Sequence, residues 1–301
     1  MLTFHPLSMA DKPWIDRHVA EEDSRSADFN FGNMFLWDGK YQQMVADSDH
    51  HLITLCRAYE HPVFPFPIGC GDLRPVIDEM REYAMLNGFP LVLRGLEEHH
   101  AATLDCLFPG RFCFTDDRDY ADYIYRADKL ISLSGKRLHG KRNHCNRFEA
   151  EHDWSFRALT AADEPACSSL LERWTAEETQ VLSDSIDGEH AAILRAFEYY
   201  DALGLLGGAL FAEGELVAFA IGEPISSDTF DVHFEKARAD INGAYPMINR
   251  EFVRLICTTH PNIRYVNRED DMGLENLRRS KESYAPDILL RKFTARWKED
   301  A

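Results

Sequence analysis

Two stretches 152 residues apart carry the same ten-residue pattern, Phe-x-x-Leu-[Ser/Thr]-x-Ala-Asp-x-Pro. The first runs from Phe4 through Leu7, Ser8, Ala10 and Asp11 to Pro13, the second from Phe156 through Leu159, Thr160, Ala162 and Asp163 to Pro165. Each reads as a strand ending, a polar cap and a helix whose early proline sits where no backbone donor is needed. Asp11 and Asp163 are the expected caps. A repeat offset by half of a 301-residue chain points to two related halves; the alternative is a chance likeness between two strand-to-helix junctions.

The periodicity agrees with two halves and predicts an α+β chain, each half a mixed, mostly antiparallel sheet flanked by helices. Residues 1–127 form the first half, with a hairpin at Lys40–Asp47 and His51–Arg57 and a helix over Asp72–Asn87 that turns Ile77, Met80, Tyr83 and Ala84 to one side. Residues 128–152 read as a basic connecting helix. Residues 153–301 form the second half, in the order β-α-α-β-β-β-α-β-α-β, with the tight turn Glu213-Gly214 joining two of its strands and Leu289–Trp297 as the closing strand.

Within the second half, Thr229–Tyr245 reads as a strand that breaks into a loop and starts a helix. Phe230, Val232 and Phe234 alternate with Asp231, His233 and Glu235. An outer strand would show water the same polar face. The loop that follows ends at Gly243, ahead of a helix beginning at Ala244 and Tyr245, and a glycine there lets backbone approach an anion at the first helical turn. Lys236 stands beside it. Asn267, Arg268 and Glu269 leave a strand end together, where ligands of α/β sheets gather. Lys281 and Arg278 lie one turn apart and suit either an anion or an exposed salt-bridged helix.

Composition narrows the functional classes. A net charge of −18 disfavours broad nucleic-acid binding, and DNA is excluded as a partner. The local exception is the basic run from Arg126 to Arg147, with Lys141, Arg142, Asn143 and His144 as candidate phosphate ligands; a solvated linker helix is the competing reading. The seven scattered cysteines lack a Cys-x-x-Cys pair, and the His50-His51 and His99-His100 doublets lack helical ligand spacing, so neither disulfides nor a metal is expected. The longest apolar run, Ala202–Ala212, is too short to span a bilayer, and a cytoplasmic location is the expectation.

The order of elements resembles the GNAT acyltransferase fold, with Ala237–Ala244 in the place of its phosphate loop. Three blocks carry a more specific resemblance: Tyr123–Tyr125 through Gly135-Lys136-Arg137 to Lys141–Phe148; Asp231–Lys236 with Gly243–Tyr245; and Asn267–Asp270 with Gly273, Leu277-Arg278 and Lys281–Pro286. Together they resemble a family of bacterial proteins sharing the C-terminal domain of phosphatidylglycerol lysyltransferase. The resemblance implies two tandem GNAT-like domains and transfer of an acyl or aminoacyl group, from acyl-CoA or aminoacyl-tRNA, to an amine or hydroxyl. No tightly bound cofactor is implied, and net charge ranks tRNA below acyl-CoA. Such chemistry needs a base, oxyanion donors and an acid. Glu235 is the expected base, Asp231 its substitute or the acceptor's anchor, Tyr284 the acid, Lys236, Gly243, Ala244, Tyr245, Lys141, Arg142, Asn143 and His144 the donor's ligands, and Asn267, Arg268, Glu269 and Lys281 the acceptor's. A solvated carboxylate and a packed core tyrosine are the plain alternatives for Glu235 and Tyr284. A non-catalytic binding or regulatory protein is the rival class.

Overall fold

A computed structural model describes residues 2–177 and 183–298, with side chains described outside 174–177 and 183–187. The chain forms two compact units, but the division is not the one expected from a cut near residue 127. The first unit takes residues 1–122, 270–273 and 289–301, and the second takes 123–269 and 274–288. Two differences follow. The basic segment 128–152 is part of the second unit rather than a connector, and the closing strand belongs to the first.

The first unit has two four-stranded sheets. One orders His5–Pro6, Gln43–Ser48, His51–Cys56 and Ile68–Gly69; the other orders Phe64–Pro65, Val92–Leu96, Phe293–Trp297 and Phe112–Asp116. The helix Leu73–Leu86 buries Val76, Ile77, Met80 and Ala84, the face its 3.6-residue period predicts. The last strand is held by charge as well as pairing. Lys292, 2% exposed, reaches Asp122 Oδ1 at 2.8 Å and Asp28 Oδ2 at 2.9 Å.

The second unit is built on one seven-stranded sheet. Its strands are β1 (Asp122–Arg126), β2 (Trp154–Ala158), β3 (Leu206–Ala212), β4 (Glu215–Pro224), β5 (Thr229–Ala237), β6 (Tyr265–Asn267) and β7 (Ile288–Leu290), ordered β7-β1-β6-β5-β4-β3-β2. From β2 to the helix Glu275–Glu282 the order of elements is the expected one apart from an added short helix, Tyr200–Leu203, and the expected closing strand Leu289–Trp297 is two strands, β7 and Phe293–Trp297, in different sheets. β5 is the middle strand, however, and all but one of its residues are buried. Its polar side chains therefore face protein, and each needs a partner.

Three helices position the site. α1 (His139–Glu151) buries Cys145 and Phe148, and α2 (Ala244–Thr259) buries Ala244, Met247, Ile248, Phe252, Val253 and Ile256. α3 is Glu275–Glu282. Among the described residues no helix is long and apolar enough to cross a membrane.

The repeated pattern forms the same capping box in its two copies. Asp11 accepts from the Ser8 N–H at 2.9 Å and is reached by His5 Nε2 at 2.8 Å. Asp163 accepts from the Thr160 N–H at 2.9 Å and from Arg157 Nη2 at 2.6 Å. The caps are thus Ser8 and Thr160, with the aspartates answering from three residues on, a capping box rather than the aspartate caps expected.

Candidate functional site

A β-bulge organises the polar residues of β5. The β4–β5 register shifts between Ile221 and Glu223, and a side chain at Gly222 would meet the Asp231 carbonyl at 1.9 Å, so only glycine lets the strands close there. Beyond the bulge, Glu223 lies directly opposite Asp231. β6 joins the other edge of β5 in parallel, pairing Asp231 with Asn267, and then delivers Arg268 and Glu269.

Two groups result. In the first, the Glu235 carboxylate accepts from Arg268 Nη2 at 2.8 Å and from Asn249 Nδ2, on α2, at 2.9 Å. Both side chains of the ion pair are about nine-tenths buried (Glu235 9% and Arg268 12% exposed). The guanidinium carbon of Arg268 is 4.8 Å from the Tyr284 ring centre, and Lys141 Nζ, from α1, is 4.2 Å from the same ring. Burial, then the neighbouring Arg268 charge, lower the Lys141 pKa, and Glu235 partly opposes them. Burial raises the Tyr284 phenol well above its usual value, so it is a hydrogen-bond donor across the physiological range. Arg268 Nη1 is buried without a hydrogen-bond acceptor among the described residues. The group therefore combines two cations and one carboxylate, with unused donor capacity.

In the second group, His233 is surrounded by carboxylates. Nε2 is 3.0 Å from Glu223, and Nδ1 is 3.1 Å from Asp231 and 3.3 Å from Glu269. Burial opposes a charge on His233, but Asp231 and the hydrogen bonds with its acidic neighbours outweigh it and raise the imidazole pKa well above its ordinary value. Burial and then the Asp231 charge push the Glu269 carboxyl up to about 7.

The loop joining the groups is pinned. Asn267 Oδ1 accepts the Glu269 N–H at 2.7 Å, Lys281 Nζ donates to the Arg268 carbonyl, and the Arg268 N–H reaches the Tyr123 carbonyl at 3.0 Å. Tyr125 in turn donates to the Lys281 carbonyl at 2.8 Å. Glu269 holds a left-handed φ of 57°, unusual for a residue with a side chain.

The structure thus brings Glu235, Tyr284, Arg268 and Lys141 together, places Asp231 with Glu269, and uses Asn267 and Lys281 as supports. Other expected ligands lie elsewhere. Lys236 projects from the opposite face of β5 and pairs with Glu189 at 2.8 Å. Gly243 has φ 91°, and a side chain there would meet the His144 carbonyl at 2.6 Å; its absence serves the packing of α2 on α1. Ala244 is in the core and Tyr245 packs against it. Arg142 is spent on the Leu133 carbonyl at 2.6 Å and His144 on Asn242 at 2.8 Å, while Asn143 is exposed.

Sequence reasoning passed over Glu223, His233 and Asn249 as site residues. A signal existed for two of them. Glu223 ends the apolar run of β4, and Asn249 occupies a position of the apolar stripe formed by Tyr245, Ile248, Phe252 and Ile256.

Comparison with known proteins supplies the context. A conserved protein of unknown function from Bacteroides thetaiotaomicron VPI-5482 is 36% identical, with a TM-score of 0.94 over 99% of this chain and 100% of that one. L-PGS from Bacillus licheniformis shares the fold at 17% identity and a TM-score of 0.66, over 97% of this chain and 93% of that one. A tandem GNAT protein from the clavulanic acid biosynthesis pathway shares it at 12% identity and a TM-score of 0.52, over the full length of both chains. The uncharacterized protein MYCGA3080 of Mycoplasmoides gallisepticum is 24% identical over 175 residues, a match that spans 57% of this chain and 54% of that relative. The fold is therefore α+β with two tandem GNAT-like domains. Residues 20–296 match the family described as phosphatidylglycerol lysyltransferase, C-terminal, and the chain belongs to that family.

Proposed function

We propose that the protein transfers an aminoacyl group from an activated ester to an amine or hydroxyl, at the centre formed by Glu235, Arg268, Lys141 and Tyr284. One observation carries the reading: a carboxylate held by Arg268 and Asn249 beside two cations that share the Tyr284 ring. As the acceptor's nitrogen or oxygen attacks the ester carbonyl, Glu235 takes its proton. Lys141 and the free Nη1 of Arg268 stabilise the oxyanion that forms. The intermediate collapses with loss of the donor's alkoxide, which takes a proton from Tyr284, and Tyr284 recovers it from Glu235. Family membership favours an aminoacyl ester over acyl-CoA.

The test is transfer of labelled amino acid from a pool of aminoacyl-tRNAs to small amines and hydroxyl compounds, alongside an acyl-CoA panel. The expected result is transfer from an aminoacyl ester that Glu235→Gln reduces by about 100-fold or more, the lower end of what a positioned base contributes. Transfer from acyl-CoA alone would overturn the donor. Turnover unchanged in Glu235→Gln would remove the base.

A further inference from the structure

Independently of that reading, we propose that Asp231, His233 and Glu269 bind a divalent transition-metal ion of the zinc class through Oδ2, Nδ1 and Oε1, with Glu223 holding the far side of the imidazole. The argument begins with the strands. Glu223 and Asp231 are cross-strand partners, both buried, and like charges facing each other across a sheet destabilise it unless a cation lies between them. His233 lies two residues beyond Asp231 on the same side of β5, and Glu269 closes the group from the end of β6. The three ligand atoms all lie within 4.8 Å of one another.

The distances fit a coordination shell. Two ligands each about 2.1 Å from one ion are about 3.0 Å apart at a right angle and about 3.4 Å apart at a tetrahedral angle. Nδ1 is 3.1 Å from Asp231 and 3.3 Å from Glu269. A proton serves this arrangement less well, because one N–H faces two carboxylates. Glu223, 3.0 Å from Nε2, supplies the outer carboxylate that fixes the tautomer of a metal-bound histidine and leaves Nδ1 its lone pair. The side chain of Glu269 is one-quarter exposed, which gives solvent access to the remaining coordination positions. An imidazole nitrogen among the ligands selects the zinc class over magnesium or calcium.

The other histidine–carboxylate group, Glu22, His99 and His100, fails the same inspection. His100 Nδ1 accepts the Glu97 N–H at 3.2 Å, so Nε2 carries the proton and donates it to Glu22 at 2.9 Å. No lone pair of that ring is left for an ion.

The experiment uses the full chain, freed of any histidine tag and treated with chelator. Co(II) is titrated while the visible absorbance is followed, and Zn(II) is used to displace it. The expected result is one ion per chain with d–d bands of four- or five-coordinate cobalt, lost on zinc addition. His233→Ala abolishes the bands and Glu223→Gln weakens binding by about 10–100-fold, the effect of removing an outer-shell partner, while His99→Ala changes nothing. Circular dichroism checks that each variant is folded. Should His233→Ala fail to fold, the 15N shifts of His233 in the wild type decide: a doubly protonated ring unmoved by zinc refutes the site. Absence of saturable binding, or binding that survives His233→Ala in a folded protein, refutes it too. Neither readout involves transfer, so failure of the metal site and failure of the transferase reading are separable.

Discussion

Replacing Gly243 by alanine separates two explanations of the same glycine. If it lets backbone approach a ligand, alanine should leave the fold intact and weaken donor binding. The structure gives the opposite expectation. At φ 91° a side chain costs about 1–2 kcal/mol, the penalty for an L residue in the left-handed region. The new Cβ would also lie 2.6 Å from the His144 carbonyl and 3.0 Å from Phe148 Cβ, on a helix whose Phe148 is fully buried. Backbone cannot rotate away as a flexible side chain does, so α1 and α2 must separate, at about 1–3 kcal/mol. We expect a total near 3 kcal/mol. That corresponds to a Tm lower by roughly 6–12 °C for a domain of this size. Urea unfolding monitored by fluorescence should show a lower midpoint with an unchanged slope. The decisive comparison is turnover per folded molecule well below the midpoint, which should match wild type. A variant of unchanged midpoint that has lost its donor affinity would refute the packing argument.

Two further substitutions test charge networks outside the centre. Lys292→Met removes the ammonium paired with Asp122, 1% exposed, and the expected loss is about 3–5 kcal/mol by chemical denaturation, with Lys292→Met/Asp122→Leu recovering most of it. Asp163→Ala removes a capping box and should cost about 1 kcal/mol. It should also flatten the acid limb of the stability curve: Arg157 holds the Asp163 carboxyl down at about 2, so its contribution is fully present above the ordinary carboxylate range and is lost as pH falls through that value. A wild-type acid limb in Asp163→Ala would show that the pair adds nothing.

The halves were legible because their signal is local. Phe4–Pro13 and Phe156–Pro165 form the same box from residues three apart, and even the side chain that reaches each aspartate, His5 or Arg157, keeps the offset. The unit boundary was not legible, because Phe293–Trp297 pairs with Val92–Leu96 and Phe112–Asp116, almost two hundred residues away, and no short-range pattern records that choice. At the site, the strand-end residues Arg268 and Glu269 and the alternation of β5 were readable. The packing role of Gly243 was not legible, because a glycine before a helix has the same sequence whether it faces a ligand or another helix. Lys236 was misread because its neighbour Glu235 drew it into the site, although adjacent strand residues point to opposite faces.

The position of β5 in the middle of its sheet bears on what its polar residues are for. Asp-Val-His-Phe-Glu reads the same on an edge strand, where water would satisfy each polar side chain at no cost. In the centre, every one of them gives up its hydration and must recover it from Glu223, Asn249, Arg268 or Glu269. Buried ion pairs are often replaceable by apolar residues of similar volume with no loss of stability, and sometimes with a gain. Stability therefore does not account for Asp231, His233 and Glu235 in succession, nor for a bulge at Gly222 that brings Glu223 opposite Asp231. Nor does it require the left-handed turn at Glu269 that carries a carboxylate into the same group. Features that cost folding free energy and converge on two adjoining groups are what the proposed transfer centre and the proposed metal site account for.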